Sequence, residues 1–264
     1  MSKATLTKRL EFCSSHRYHN PNWDDEKNRQ VFGACNNVNT HGHNYLLEVT
    51  LCGEIDPVTG MIINLYDLKQ HLWDVLIEFD HKNLNLDTPY FTNRVPTTEN
   101  LALTLWSLLE KHPQLPDLDR ILLHEDETLF AEVTRSSLKE TNSPLTVPRA
   151  TITRNYCLSS AMNISTDSVS GHNYTIGITI DGSIDSETGQ IINLEQLDEL
   201  VQAKIIQRWN NKNLSLESDF QQTPPTKENL VQIISQTLDG NIPQGALTRV
   251  TVSDNSHTTA TYQT

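Results

Sequence analysis

Apolar and polar residues alternate along one stretch in the first half of the chain, which predicts a β-strand with one buried face. The apolar positions of this stretch are Tyr45, Leu47, Val49 and Leu51. After a glycine turn the apolar spacing changes to three and four residues, which is typical of an amphipathic helix. The helical positions are Leu65, Leu68, Leu72, Leu76 and Phe79, followed in a second helix by Leu101, Leu105, Leu108 and Leu109.

The same succession of patterns returns in the second half of the chain, offset by 129 residues. Gly60-Met-Ile-Ile-Asn64 aligns with Gly189-Gln-Ile-Ile-Asn193, and Gly42-His43-Asn44-Tyr45 aligns with Gly171-His172-Asn173-Tyr174. Collinear matches of this kind indicate a diverged tandem repeat. Only the N-terminal segments need a larger offset, because the loop 17–33 of the first copy is largely missing from the second.

Each copy reads in the order ββααββ and ends in two short strand-like runs. This order predicts an α+β fold with two tandem domains, each an antiparallel sheet with two helices on one face. We expect the domains to span residues 1–135 and 149–264. The linker 136–148 is polar and contains two prolines.

Composition narrows the class of protein. With 36% hydrophobic residues and no long apolar run, the chain of 264 residues predicts a globular protein, and we expect a cytoplasmic location. A formal charge of −13 argues against nucleic-acid or membrane partners, because both need a basic surface.

Histidine is distributed unevenly between the two copies, since eight of the ten lie in the first. His41 and His43 stand two apart at the start of a strand, so their imidazoles project from one face and can share a cation. His16 ends a preceding strand and is the natural third ligand if the two strands are neighbours. Three imidazoles on Zn²⁺ leave a coordination position open, as in catalytic sites.

The second copy serves as an internal control. It has Ala161 in place of His16 and Ser170 in place of His41, while Asn210 and Asn211 replace Asp80 and His81. If these residues were purely structural, the second copy, which keeps the apolar pattern, would have no reason to lose all of them.

Further candidate residues surround the histidines in the sequence. Cys35 precedes His41 by six residues, which is close enough for a thiolate to reach a metal-bound substrate. Asp80 and His81 follow the first long helix, where a polar helix end is the alternative explanation. Glu125 is an acidic residue of a closing strand that would need N–H partners if buried. The sequence Thr97-Thr98-Glu99-Asn100 also fits a plain N-cap with an acidic first turn.

These residues together resemble the 6-pyruvoyltetrahydropterin synthase family over nearly all of residues 1–135. The motifs that carry the resemblance are Phe12-Cys-Ser-Ser-His16, Cys35 with His41-Gly-His-Asn-Tyr45, Gly60-Met-Ile-Ile-Asn-Leu-Tyr-Asp-Leu-Lys69, Asp80-His-Lys-Asn-Leu-Asn85 and Thr97-Thr-Glu-Asn100. The second copy resembles a degenerate member of the same family. The resemblance implies the tunnelling fold, in which ββααββ units associate as barrels with active sites between units.

The resemblance also implies roles for individual residues. His16, His41 and His43 would bind zinc, Cys35 would be the general base, and Asp80 with His81 would form a second proton relay. The remaining implied residues are Glu125, which would anchor the pterin ring, and Thr97, Thr98 and Glu99, which would line its pocket. The implied reaction is elimination of triphosphate from 7,8-dihydroneopterin triphosphate, as in tetrahydrobiopterin biosynthesis.

Two alternatives stay open at this point. The first is 6-carboxytetrahydropterin synthase, which cleaves the side chain of the same substrate on the way to queuosine; the second is a non-catalytic pterin-binding protein. Family members of the carboxy type tend to place the cysteine closer to the His-Gly-His block. We also expect a homo-oligomer, with three chains supplying six fold units. Arg17, Lys27, Arg29, Lys82 and Arg94 are all candidates for holding the triphosphate.

Overall fold

The computed structural model describes residues 3–139, 147–254 and 258–264. The chain divides into two compact units. The first comprises Met1–Ile152 together with Ser183–Ile191, and the second comprises Thr153–Gly182 and Ile192–Thr264. Within the described ranges, no helix has both the length and the apolar character needed to span a membrane.

The first unit contains an antiparallel sheet with the order β3-β1-β2-β4-β5. Only the two-residue strand β3 joins in parallel, alongside the end of β1. The strands are β1 (Lys3–His16), β2 (His41–Glu54), β3 (Lys82–Asn83), β4 (Asp117–His124) and β5 (Leu129–Thr134). All four apolar positions of β2 are fully buried as predicted, but the opposite face is not fully exposed, because Glu48 and Thr50 are buried as well.

The two predicted helices of this unit are present as α2 (Leu65–Leu76) and α3 (Thr98–Leu109), and α3 packs against β4 and β5. The Asn64 side chain caps α2 by accepting from the backbone N–H of Tyr66. Leu68, Leu72 and Leu76 have no exposed surface, so one face of α2 supplies the core.

A further helix, α1 (Asp25–Phe32), lies within residues 17–33, for which the sequence predicts a loop. Asp24 caps it by accepting from Lys27 N, and acidic residues fill its first turn. The cap and the charges are ordinary helix signals, but the segment is too polar for periodicity to reveal it.

The linker prediction lies partly outside the described residues, since 140–146 are not described. The part that is described begins with a short helix, α4 (Arg135–Lys139), rather than with an irregular segment.

The second unit repeats the plan with the strand order β6-β7-β8-β9. Its helical segment runs from α5 through a π-helical turn into α6, and α7 packs against β8 and β9. The elements are β6 (Arg149–Ser165), β7 (Ser168–Ser183), α5 (Leu194–Val201), the π turn Gln202–Ile206, α6 (Gln207–Trp209), α7 (Lys227–Leu238), β8 (Ala246–Asp254) and β9 (Thr258–Gln263).

Candidate metal centre

The pairing register of β1 and β2 brings the three histidines together. His16 is the register partner of His41, and His43 is opposite Ser14, two positions farther along β2. Residues two apart on a strand share a face, and directly paired residues have neighbouring Cβ atoms. The two strands are therefore neighbours, which is the condition under which the sequence predicts His16 as the third ligand.

Ring nitrogens of these histidines converge with a carboxylate oxygen of Glu125 on one point. The candidate ligand atoms of the four residues all lie within 4.8 Å of one another. His16 Nε2 and His41 Nε2 are 3.2 Å apart. A tetrahedral site with bonds of about 2.0–2.1 Å places its ligand nitrogens about 3.3–3.4 Å apart. The spacing thus matches two imidazoles that share one cation.

Two further observations test whether a metal fits here. His43 Nε2 is buried and has no hydrogen-bond partner among the described residues, which is costly unless something else satisfies it. His16 is fully buried, and its pKa is lowered to about 3. Burial is the larger cause, and the neighbouring imidazoles of His41 and His43 lower the pKa further. A neutral imidazole is the form that binds metals, so the residues present fit the group.

His16 is oriented from behind by Pro96 and Tyr45. Its Nδ1 lies 3.0 Å from the Pro96 carbonyl oxygen and 3.2 Å from the Tyr45 hydroxyl. A carbonyl only accepts, so Nδ1 carries the proton and the Nε2 lone pair points at the site. Tyr45 follows His43 by two residues on the same face of β2.

The Glu125 carboxylate is buried beside the histidines. Its Oε2 accepts hydrogen bonds from the Tyr18 hydroxyl at 3.1 Å and the Thr98 hydroxyl at 2.5 Å. Its Oε1 lies 3.4 Å from His43 Nε2. The residue directly follows β4 rather than lying within a strand. One carboxylate oxygen is thus fixed by hydroxyls, while the other faces the cluster.

Glu99 and Thr97 lie at the start of α3, where the predicted N-cap is present. Thr97 Oγ1 accepts from Asn100 N and donates to the Gly189 carbonyl at 2.6 Å. Glu99 Oε1 accepts from the backbone N–H of Ile191 at 3.1 Å. Burial is the main cause that raises the pKa of Glu99 to about 7, although hydrogen bonds to its carboxylate, including that from the Ile191 N–H, act to lower it. A carboxyl group with this pKa changes charge near neutral pH.

Cys35 lies in the short 3-10 turn Gly33–Asn36 that follows α1. It packs against the buried cluster of Tyr18, Phe32 and Val95, and its carbonyl accepts from Tyr18 N at 2.9 Å. Its thiol is not one of the converging ligand atoms. Cys35 is therefore tied to the same Tyr18 that holds Glu125.

Asp80 and His81 form a pair outside the histidine cluster. His81 Nδ1 lies 2.8 Å from Asp80 Oδ2, and Asp80 Oδ1 accepts from Cys13 N at 2.9 Å. Burial raises the pKa of Asp80, but the bonds from Cys13 and His81 outweigh it and the net shift is downward. Asn210 and Asn211 repeat this backbone geometry in the second unit, so the turn does not require a charged residue.

His81 and His43 line one open pocket of about 500 Å³. Lys82 lines it as well, which distinguishes it from the other basic candidates. Arg17 is bonded to Asn36, and Arg94 is bonded to Asn100 at 2.6 Å.

The second unit places no comparable cluster at the equivalent position within its described residues. Ala161 and Ser170 occupy the positions of His16 and His41, and the remaining His172 has its Nε2 3.0 Å from the Ser170 hydroxyl.

The equivalent of the Glu125 carboxylate is also neutralised there. Asp254 takes the position of Glu125 and Lys227 that of Thr98, and Lys227 Nζ lies 2.7 Å from Asp254 Oδ2. This bond is the main cause that lowers the pKa of Asp254. The ammonium group of Lys227 thus pairs with the carboxylate at the position of Glu125.

Another histidine group, formed by His71, Asp74 and His112, is present in the described part of the first unit. Both imidazoles are 4.0 Å from Asp74 Oδ2, and the side chain of Asp74 is 66% exposed. These spacings are looser than those of the first cluster, and we assign no function to them.

Sequence reasoning missed Tyr18 and Tyr45, which hold Glu125 and His16 in place. Tyr45 follows His43 by two residues within β2, so strand alternation was the available signal for it. Tyr18 lies beyond the end of β1, where alternation gives no signal. Sequence reasoning also missed the contacts of Gly189 and Ile191, for which no local signal exists.

The fold and the site define a tandem α+β protein with a cluster of three histidines and a glutamate, suited to a metal ion, in one repeat. A family model described as 6-pyruvoyl tetrahydropterin synthase matches residues 5–136 and again residues 159–264. The chain belongs to this family, and both repeats have its tunnelling fold.

Named relatives agree with this family. The 6-pyruvoyl tetrahydrobiopterin synthase of Homo sapiens is 44% identical over 126 residues, covering 47% of this chain and 87% of its own length. A protein of Archaeoglobus fulgidus named for 6-carboxy-5,6,7,8-tetrahydropterin synthesis is 33% identical over 95 residues, covering 36% and 76%. The structure of Caenorhabditis elegans 6-pyruvoyl tetrahydropterin synthase aligns with a TM-score of 0.47 at 37% identity, covering 48% of this chain and 91% of that one.

Proposed function

We propose that the protein is a zinc-dependent lyase that acts through its first repeat on 7,8-dihydroneopterin triphosphate, with loss of triphosphate and formation of a 6-pyruvoyl product. The observation that carries this proposal is the convergence of His16, His41 and His43 beside Glu125. The relatives named for tetrahydrobiopterin synthesis support the substrate class.

His16, His41 and His43 would hold the zinc ion. When bound, zinc supplies Lewis-acid polarisation of substrate oxygens, which acidifies the neighbouring C–H groups. His16 is suited to this task because its protonated Nδ1 leaves Nε2 available as a ligand.

We assign proton transfer to two groups of the first repeat. Cys35 would act as the general base, since it packs against Tyr18, which also holds Glu125, and a thiolate can accept a proton from carbon. Asp80 would fix the tautomer of His81 by accepting from its Nδ1–H, which leaves His81 Nε2 to take up or return a second proton.

Glu125 would anchor the pterin ring. Tyr18 and Thr98 hold its Oε2, so Oε1 is left to accept an N–H of the heterocycle. Thr97, Thr98 and Glu99 would line the same pocket. A buried carboxylate favours a ligand with paired N–H donors, because they replace the water it has lost.

The turnover product tests this proposal. Zinc-loaded protein is incubated with 7,8-dihydroneopterin triphosphate, and the pterin is identified by mass. A 6-pyruvoyl product supports the proposal. A 6-carboxy product with acetaldehyde favours 6-carboxytetrahydropterin synthase, the activity for which the Archaeoglobus fulgidus relative is named. Pterin binding without turnover points to a non-catalytic protein.

We further propose domain boundaries at 1–135 and 149–264 with a linker at 136–148, a cytoplasmic location, and an assembly of three chains that supplies six fold units. Light scattering that shows a stable monomer would contradict the assembly. Fractionation of cells addresses the location.

A further inference from the structure

Each repeat contains the same tight turn after its long strand. In the first repeat Asp56 Oδ1 accepts from Val58 N and Thr59 N, and Gly60 N donates to the Asp56 carbonyl at 2.8 Å. In the second repeat Asp185 does the same with Glu187, Thr188 and Gly189, again at 2.8 Å for the glycine. The two turns are internally equivalent.

Their surroundings differ. The first turn is exposed, and apart from its own chain neighbours no described residue has an atom within 4 Å of a Cβ placed on Gly60. The second turn, residues 183–191, belongs by its contacts to the first unit. There Gly189 accepts from Thr97, Ile191 donates to Glu99, and the Glu187 carbonyl accepts from Asn20 at 2.9 Å.

The second turn therefore contacts the residues for which we propose a role in lining the pterin pocket. The Ile191 N–H is a fixed donor to one oxygen of Glu99, which orients the carboxyl group. Gly189 fits so closely that a Cβ would collide with Asn100 Nδ2 and lie 3.2 Å from Thr97. No similar constraint falls on Gly60.

Gln190 lies between these two backbone contacts. The equivalent residue of the first turn is Met61, which is 45% exposed, whereas Gln190 is 5% exposed. Its Oε1 is buried and accepts no hydrogen bond from any described residue. A buried acceptor without a donor is unfavourable, and an N–H group of a bound ligand would satisfy it.

We propose that Gln190 recognises the substrate of the first repeat: its buried Oε1 accepts an N–H of the bound heterocycle, while the neighbouring Ile191 N–H positions Glu99. This inference rests on the proposed function. It assigns a role to Gln190, a buried position of this turn whose exposed counterpart in the first turn is Met61.

The glycine pair supplies a matched test on the full zinc-loaded chain. Gly189 and Gly60 both have positive φ, at 74° and 69°, so alanine strains both backbones alike. We measure the Kd for 7,8-dihydroneopterin, which lacks the triphosphate, together with zinc content. Gly189→Ala is expected to raise the Kd about tenfold or more with zinc retained, a change of about 1.4 kcal/mol. Gly60→Ala is expected to leave it unchanged.

Gln190→Met tests the acceptor, because it installs the residue of the first repeat at similar volume. We expect the Kd for 7,8-dihydroneopterin and the KM to rise about fivefold with kcat little changed, as for one lost hydrogen bond. Met61→Gln is the control and should change neither.

The outcomes separate this inference from the proposed function. Equal Kd values for Gly189→Ala and Gly60→Ala, with Gln190→Met like wild type, would overturn the inference while turnover persists. Wild-type protein that binds the pterin without turnover would overturn the proposed lyase alone. Wild-type protein that binds no pterin would overturn both.

Discussion

His16 Nε2 and His41 Nε2 lie 3.2 Å apart because the two residues are register partners at the paired ends of β1 and β2. The register therefore fixes two candidate ligands at once, and the alternation of β2 adds His43. A shift of one residue would turn both histidines of β2 to the opposite face. The convergence of the three histidines is thus a property of strand pairing.

Replacement of Cys35 by alanine should abolish turnover without removing the metal. We expect kcat to fall about 10²-fold or more, because a general base is lost. Zinc content should stay at the wild-type level, since the thiol is not among the converging ligand atoms. Cys157→Ala, at an exposed position, is the control. Turnover by Cys35→Ala at the wild-type rate would remove Cys35 from the mechanism.

Asp80→Asn installs the residue that the second repeat carries at the equivalent position. Asn210 Oδ1 accepts from Ser159 N at 2.9 Å, as Asp80 Oδ1 accepts from Cys13 N at 2.9 Å. We therefore expect the melting temperature to change little while kcat falls about tenfold or more, because the relay loses its carboxylate. A variant that unfolds at lower temperature with unchanged kcat would indicate a structural role.

Tyr45→Phe should weaken metal binding, because it removes the hydroxyl 3.2 Å from His16 Nδ1. Outer contacts of this kind typically contribute about 10–100-fold to metal affinity. Competition with a chelator measures the effect. The matched control is Tyr174→Phe in the second repeat, which should leave zinc affinity unchanged; equal effects of both variants would argue against an orienting role for Tyr45.

Glu99 should make the metal-free protein less stable as the pH rises. Its pKa is raised from 4.5 to about 7, mainly by burial, so the folded protein holds a proton that the unfolded chain releases between these values. The stabilisation is complete below pH 4.5 and is lost as the pH rises through 7. The loss is on the order of 3 kcal/mol.

Urea unfolding from pH 4 to 8 measures this effect. The free energy of unfolding of wild type should fall relative to that of Glu99→Gln as the pH rises. For Glu228→Gln, at the equivalent position, the free energy of unfolding should change with pH as it does in wild type. Glu228 is exposed in the second unit, and hydrogen bonds at its helix start lower its pKa. If the free energies of unfolding of wild type and Glu99→Gln changed equally with pH, the raised pKa of Glu99 would be refuted.

Much of the fold was predictable, because the apolar alternation of β2 and the spacing of α2 and α3 are local patterns. The same alternation placed His41 and His43 on one face. The N-cap role of Thr97 also followed from residue type. Helix α1 was missed because its sequence is polar, and its signal lies only in the cap at Asp24 and the acidic first turn.

The remaining part of the site depends on contacts between distant residues. The bond from Ile191 to Glu99 joins positions 92 apart, and nothing in either local sequence specifies it. The change from Met61 to Gln190 between the repeats is visible in the sequence, but its meaning requires knowing that only the second turn is buried. Repeat comparison locates such differences without explaining them.

The most direct test of the account is the metal content of a matched histidine pair. His43 and His172 occupy equivalent positions in the two repeats, but only His43 has neighbouring ligands. After zinc loading and exhaustive dialysis, we expect wild type and His172→Ala to retain the same zinc and to turn over substrate equally. His43→Ala should lose both. Retention of wild-type zinc by His43→Ala, or its loss from His172→Ala, would contradict a metal site confined to the first repeat.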